Sequence, residues 1–134
     1  MRDHKSIVAW QEANRVVEAV LDGCRTSWKP FAAAVFAQLQ RASLSVQLNI
    51  AEGYAFRASP RFRNHLEIAY GSAVETGELL ELAIRKSLLP EDLSHPALQS
   101  CLRSQRLLLG LIKRYRHLGP PLTAHRSRLS GEGR

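Results

Sequence analysis

Residues 38–53 read QLQRASLSVQLNIAEG, and they carry two apolar faces of a single helix. At 100° per residue, one face, extended by one turn, collects the side chains that we predict to form a core: Val35, Leu39, Ala42, Val46, Ile50 and Gly53. The opposite face collects Ala37, Leu44, Leu48, Ala51 and Ala55, with Arg41 and Glu52 beside them. A helix of a monomeric bundle needs one apolar face, so the second face and its two flanking charges predict a subunit interface. A wider core with scattered surface leucines is the alternative.

Four amphipathic segments, this one included, run along the chain. They predict helices at about residues 7–25, 31–55, 60–86 and 96–117. Ser59 followed by Pro60 is typical of a helix start, whereas the stretch from Pro90 to Pro96 predicts a break before the fourth helix. Four helices with short links indicate an all-α, up-down-up-down four-helix bundle over residues 1–118.

The positive charge of the chain is concentrated in its last third. The 134 residues carry a net charge of +7. Residues 1–92 hold 11 Lys or Arg and 11 Asp or Glu, whereas residues 93–134 hold 8 and 1. Residues 119–134, which follow the last predicted helix, are small, polar and basic and predict a flexible tail. Charge placed in this way predicts an acidic partner rather than general solubility.

The predicted fourth helix presents a basic stripe. On ideal helical geometry, one side collects Arg103, Arg106, Lys113 and Arg114. Further arginines extend the stripe or form a second cluster at the turn between helices two and three: Arg116, Arg126 and Arg128, and Arg57, Arg61 and Arg63. Because each Lys or Arg that meets a phosphate releases counterions, these residues predict binding to RNA or DNA. An acidic protein partner, or a solvated helix face, is compatible with the same residues.

Residues suited to catalysis form no recognisable site in the sequence. No Glu has a His three positions later, as metal-binding bundles require, and the two cysteines are not spaced for zinc. We therefore predict no enzyme activity, no cofactor and no metal; an enzyme with a site between subunits is a separate hypothesis. Cys24 and Cys101 lie at apolar helix positions and predict reduced core thiols in a cytoplasmic protein. No apolar run reaches the length that spans a membrane.

Two motifs resemble the bacterial four helix bundle protein family, which includes the proteins encoded in intervening sequences of large-subunit ribosomal RNA genes. The first is NIAEG at residues 49–53, and the second lies in residues 62–78. The resemblance implies a left-handed bundle that assembles into a homopentameric ring. It also implies that five motif residues build the fold and the ring rather than a reactive site: Asn49, Ile50, Gly53, Gly71 and Ser72.

A related branch of this family comprises the accessory variability proteins of diversity-generating retroelements, which are basic pentamers that bind nucleic acid and a reverse transcriptase. The size and charge of the chain are similar to that branch. We therefore predict a non-enzymatic, oligomeric nucleic-acid-binding accessory protein that partners a reverse transcriptase in such an element. The alternatives are a ribosomal RNA intervening-sequence protein and an oligomeric scaffold that docks an acidic protein.

Overall fold

The computed structural model describes residues 3–116, and within them the chain forms four α-helices and no strand. The helices are α1 (Val8–Thr26), α2 (Ala33–Tyr54), α3 (Pro60–Arg85) and α4 (Glu91–Tyr115). Two short 3-10 turns, His4–Ser6 and Pro30–Ala32, precede α1 and α2. The predicted tail, with Arg126 and Arg128, lies outside the described residues.

The start of α3 follows from its first two residues, as the sequence predicts. Ser59 adopts an extended backbone, and its side chain accepts a hydrogen bond from the backbone N–H of Arg61 at 3.3 Å. Pro60 occupies the first helical position, where its missing N–H would have had no helical partner. The cap therefore fixes where the α2–α3 turn ends.

The start of α4 corrects the sequence prediction. The helix begins at Glu91 rather than at residue 96, so Pro96 lies inside it and the predicted Pro90–Pro96 break is wrong. Glu91 and Asp92 favour a helix N-terminus through its dipole, and Leu93 packs over Gly23 of α1. Packing of Leu93 against α1, together with the burial of Ser94 and Ala97, outweighs the one backbone hydrogen bond that Pro96 removes.

Consecutive helices run antiparallel, and α4 closes the bundle against α1. Side chains join distant sequence positions at matching heights: Gln47 donates to Asn14 at 2.7 Å, and Ser45 and Ser72 hydroxyls lie 2.8 Å apart. At Gly53 a Cβ would lie 2.7 Å from the Cβ of His65, so α2 and α3 approach closely there. The up-down-up-down prediction is confirmed by this arrangement.

The core consists of two apolar clusters with a small polar layer between them. One cluster centres on Phe36 and Leu80, the other on Ile50, Leu66 and Leu108. The layer between them is made of Ser43, Thr76 and Ser104, whose hydroxyls each donate to a carbonyl of their own helix. These bonds within each helix satisfy the three buried hydroxyls, so the layer needs no hydrogen bond from one of these hydroxyls to another helix.

Candidate nucleic-acid interface

One end of the bundle is formed by the beginnings of α1 and α3 and the ends of α2 and α4. We call it the basic end and define it as residues 3–9, 54–63 and 107–116. A guanidinium NH of Arg63 donates to the backbone carbonyl of Arg116 at 2.9 Å, which ties α3 to the end of α4. Six exposed cations lie on the basic end: Lys5, Arg57, Arg61, Lys113, Arg114 and Arg116. Asp3 is the single acidic residue in its three segments.

The opposite end of the bundle, residues 20–32 and 78–94, has a different charge balance. Its exposed acidic residues are Asp22, Glu78, Glu81, Glu91 and Asp92. Exposed cations are also present there, among them Arg85 and Lys86 at the C-terminus of α3. The segments of the opposite end hold five acidic residues and four cations and are close to neutral, whereas the segments of the basic end hold seven cations and one acidic residue. The positive charge of the basic end attracts a polyanion.

The outer face of α4 continues the basic end toward the middle of the bundle. Arg106, Lys113 and Arg114 are all exposed on it, as predicted. Gly110 lies among them, and no atom stands within 4 Å of where its Cβ would be. This face is therefore open for contact with an extended polyanion such as a nucleic-acid backbone.

Arg103 departs from the predicted basic stripe. Its Nε and NH2 groups donate to the two carboxylate oxygens of Glu12 in α1, at 3.1 and 3.2 Å. Glu12 is only 5% exposed. Burial by itself raises the pKa of Glu12, but hydrogen bonds, chiefly from Arg103 and Ser100, outweigh burial and hold the pKa below its ordinary value. Arg103 thus pairs with a buried carboxylate, which Arg15 of α1 also contacts at 2.9 Å, and it joins α1 to α4 while 49% of its own side chain stays exposed.

Arg63, which belongs to the predicted cluster at the α2–α3 turn, is largely buried. Its side chain is 13% exposed, its Nε lies 3.5 Å from the carboxylate of Glu67, and it caps the end of α4 through Arg116. Arg57 and Arg61 remain exposed and lie over the rings of Tyr54 and Phe56, at 4.4 and 3.7 Å from the ring centres. Contact with an aromatic face orders these side chains and leaves them accessible.

An apolar cleft of about 450 Å³ opens on the basic end. Val8 of α1, Tyr54 of α2 and Phe62 of α3 contribute to its wall, and Gly110, Arg114 and Tyr115 contribute from α4. The rings of Phe62 and Tyr115 meet edge to face at 4.8 Å. No signal in the sequence predicts this cleft, because its residues come from all four helices and become neighbours only on folding.

The predicted interface residues lie on the outside of α2. Leu48 is 52% exposed, Leu44 and Ala51 are half-buried, and Ala55 is exposed just beyond the helix. Arg41 and Glu52 are exposed on the side that faces α3. Arg41 donates to Gln38 at 2.8 Å, and Gln38 in turn donates to Glu75 of α3. Exposed Ile68, on the side of α3 that faces α2, adds to the apolar surface of these two helices.

The motif residues serve mainly the contact between α2 and α3. The Asn49 amide donates to the backbone carbonyl of Ser45 at 2.9 Å, and its oxygen lies 3.0 Å from Nδ1 of His65. Ile50 is fully buried in the core, and Ser72 meets Ser45 across the helix pair. Gly71 differs from these residues, because it is exposed and its Cβ position is open within 4 Å.

Residues 3–116 contain neither a membrane-spanning helix nor a metal-binding cluster. None of their helices combines the length and apolar character needed to cross a membrane. No three His, Cys, Asp or Glu side chains among them lie close enough together to hold a metal ion. Cys24 and Cys101 are buried free thiols, and burial raises the pKa of Cys101 to about 11.

The sequence was compared with models of protein families and with curated proteins. The sequence model of a family described as 23S rRNA-intervening sequence protein matches residues 5–110, which include α1, α2, α3 and most of α4. A search of curated proteins gives no match. The matched region contains both motifs and the lining of the cleft as far as Gly110, and it ends before Lys113 and Arg114.

Proposed function

The chain belongs to the 23S rRNA-intervening sequence protein family, and from this membership and the charge of the basic end we propose that it is a non-enzymatic RNA-binding protein. The family match supports the ribosomal RNA intervening-sequence alternative better than the retroelement accessory protein that the charge and size favour. A reverse transcriptase partner therefore forms no part of the proposal.

The exposed cations of the basic end carry this proposal. Lys113, Arg114 and Arg116 continue the outer face of α4, and Arg57 and Arg61 stand on the neighbouring turn, held by aromatic rings. Each cation that meets a phosphate releases condensed counterions, which favours binding of any RNA sequence. Side chains ordered before binding lose less conformational entropy when they bind.

The test is RNA binding by fluorescence anisotropy across a salt series. The variant Lys113→Ala/Arg114→Ala removes two cations from the last turn of α4. Its matched control, Arg85→Ala/Lys86→Ala, removes two consecutive cations from the C-terminus of α3 at the opposite end. We expect the first variant to bind more weakly and to lower the slope of log K against log salt by about 1.4, from two lost phosphate contacts. The control should bind like the wild type.

Two results would overturn the proposal. If the wild type shows no salt-dependent binding, the basic end does not bind RNA. If both variants weaken binding equally, net charge rather than the basic end is responsible. Capture of an acidic protein that persists after nuclease treatment would instead support the scaffold alternative.

We also propose that the protein assembles as a homopentamer through the outside of α2. A leucine that is 52% exposed costs solvation free energy in a monomer, and Ile68, on the side of α3 that faces α2, is a second exposed apolar residue. The open Cβ position at Gly71 leaves room for another backbone to approach that surface. These features are typical of a subunit interface rather than of a free helix face.

A further inference from the structure

The cleft on the basic end has the shape and lining of a small-molecule site rather than of a charged surface. Its volume of about 450 Å³ falls within the range of ligand pockets in proteins. The side chains around it are mainly aliphatic and aromatic, and none of them is a carboxylate. An uncharged, flat and partly polar group fits such a lining.

The aromatic residues of the cleft suit a planar ring. Tyr54 and Tyr115 are half-buried, so each offers part of a ring and a phenol to the cleft. Phe62 is buried between them, in edge-to-face contact with Tyr115 at 4.8 Å and with Tyr54 at 6.4 Å, and it supports the two tyrosine rings. Stacking on aromatic side chains is how proteins hold bases that have left a helix.

The positive charge beside the cleft favours a ring that carries an anionic group. Arg114 belongs to the lining itself, and Arg57 lies over the ring of Tyr54 at 4.4 Å. A ring held in the cleft therefore lies beside the Arg114 cation, which an attached phosphate can contact, and Arg57 lies on the neighbouring ring of Tyr54 outside the lining. A nucleotide combines the two requirements, an uncharged aromatic base and an anionic group beside it.

We propose that the cleft binds one unpaired base of an RNA strand whose phosphates lie along the cations of the basic end. The inference rests on the proposed function and deepens it, because it makes the site select single-stranded or looped RNA. A base within a duplex is stacked on both sides and does not enter a cleft.

Gly110 provides a direct test. It lines the cleft, it is exposed, and a side chain built there meets no atom within 4 Å. Gly110→Leu therefore fills the cleft without disturbing the core and without removing any charge. The matched control is Gln99→Leu, which puts the same side chain on an exposed position of the same face of α4, about 16 Å along the helix and outside the cleft.

The probes are a fluorescein-labelled 12-nucleotide oligouridylate and a ribose-phosphate strand of equal length and charge that lacks bases. Anisotropy titrations give the affinity of each protein for each strand. We expect the wild type to prefer the oligouridylate about tenfold, the free-energy equivalent of one stacked base. Gly110→Leu should lose this preference and keep the salt slope, and Gln99→Leu should retain both.

A second variant guards against misfolding of the first. Val8 is 53% exposed on the α1 wall of the cleft, so Val8→Phe fills it from the other side. Circular dichroism and light scattering establish that each variant keeps the fold and mass of the wild type. Loss of the base preference in either correctly folded variant supports the proposal.

The outcomes separate this inference from the proposed function. If the wild type binds both strands equally and with strong salt dependence, the basic end binds phosphates and the cleft proposal is wrong. The same holds if both filled variants keep the tenfold preference. If no strand binds at any salt concentration, the cleft proposal and the proposed function both fail.

Discussion

At the scale of single residues, the pair of Glu12 and Arg103 joins α1 to α4 at a buried carboxylate. On the wheel of α4, Arg103 belongs to the basic stripe, yet its guanidinium holds a carboxylate that is almost completely buried. A buried charge without a partner is costly, so Arg103 is needed where it stands. Arg106 and Arg114, which are predicted on the same stripe, are also exposed, and Arg103 itself keeps 49% of its side chain exposed.

Replacing Arg103 should therefore affect stability more than RNA binding. We expect Arg103→Ala to lower the free energy of unfolding by about 1–2 kcal/mol, because it removes two hydrogen bonds to buried Glu12 and leaves Arg15 as the remaining cation beside it. Arg106→Ala, at an exposed neighbour on the same helix, should change it by less than about 0.5 kcal/mol. Urea denaturation followed by circular dichroism measures both. Equal losses in the two variants would contradict the role of Arg103 as the partner of buried Glu12.

The lowered pKa of Glu12 predicts a dependence of stability on pH. Because its pKa in the folded protein is below the ordinary value of 4.5, ionised Glu12 stabilises the folded state fully above that value. The stabilisation is lost as the pH falls through the lowered pKa. The wild type should therefore exceed Glu12→Gln in stability at pH 7, and the difference should shrink below pH 4.5. A difference in urea midpoints that stays constant from pH 7 to pH 3 would contradict this assignment.

At the scale of helices, the contact between α2 and α3 depends on a missing side chain at Gly53. Gly53 is buried, and an added Cβ would meet the Cβ of His65 at 2.7 Å and a ring carbon of Phe62 at 3.1 Å. The Cβ of His65 is fixed to the backbone and cannot turn away. The two helices would have to separate to admit even a methyl group.

Alanine substitutions at two helical glycines should have opposite effects. Gly53→Ala should destabilise the protein by about 1–3 kcal/mol, because overpacking outweighs the better helix propensity of alanine. Gly110→Ala should stabilise it by about 0.5–1 kcal/mol, since its Cβ position is open. Thermal and urea unfolding of the two variants measure the signs. Stabilisation by Gly53→Ala would show that α2 and α3 leave room for a methyl group between them.

The elements also show how far periodicity predicts structure. The spacing of apolar residues correctly places four helices, and the Ser59–Pro60 cap correctly starts α3, because both signals are local. The start of α4 is missed, since Pro90 and Pro96 suggest a break. Packing of Leu93 over Gly23, seventy positions away, extends the helix through Pro96, and that contact has no local signal.

At the scale of the whole molecule, the proposed assembly makes the exposure of Leu48 the decisive feature. In light scattering we expect the wild type to have five times the 15.0 kDa mass of the chain. Leu48→Lys should reduce the mass to that of smaller species, because a charge is buried at the interface. Leu109→Lys, at a leucine 39% exposed on α4, should leave the mass unchanged. A monomeric wild type, or equal effects of the two substitutions, would contradict the interface.

The number of helices, their order, the core stripe of α2 and the excess of positive charge all follow from the amino-acid sequence. They depend on residues close together along the chain, whose relative positions helical geometry sets before any folding. Two features were decided only by tertiary structure. One is which arginines pair with a carboxylate, and the other is the cleft that opens among the cations. Glu12 and Arg103 are 91 positions apart, and four helices line the cleft. Such neighbours are chosen by packing, which local spacing does not specify.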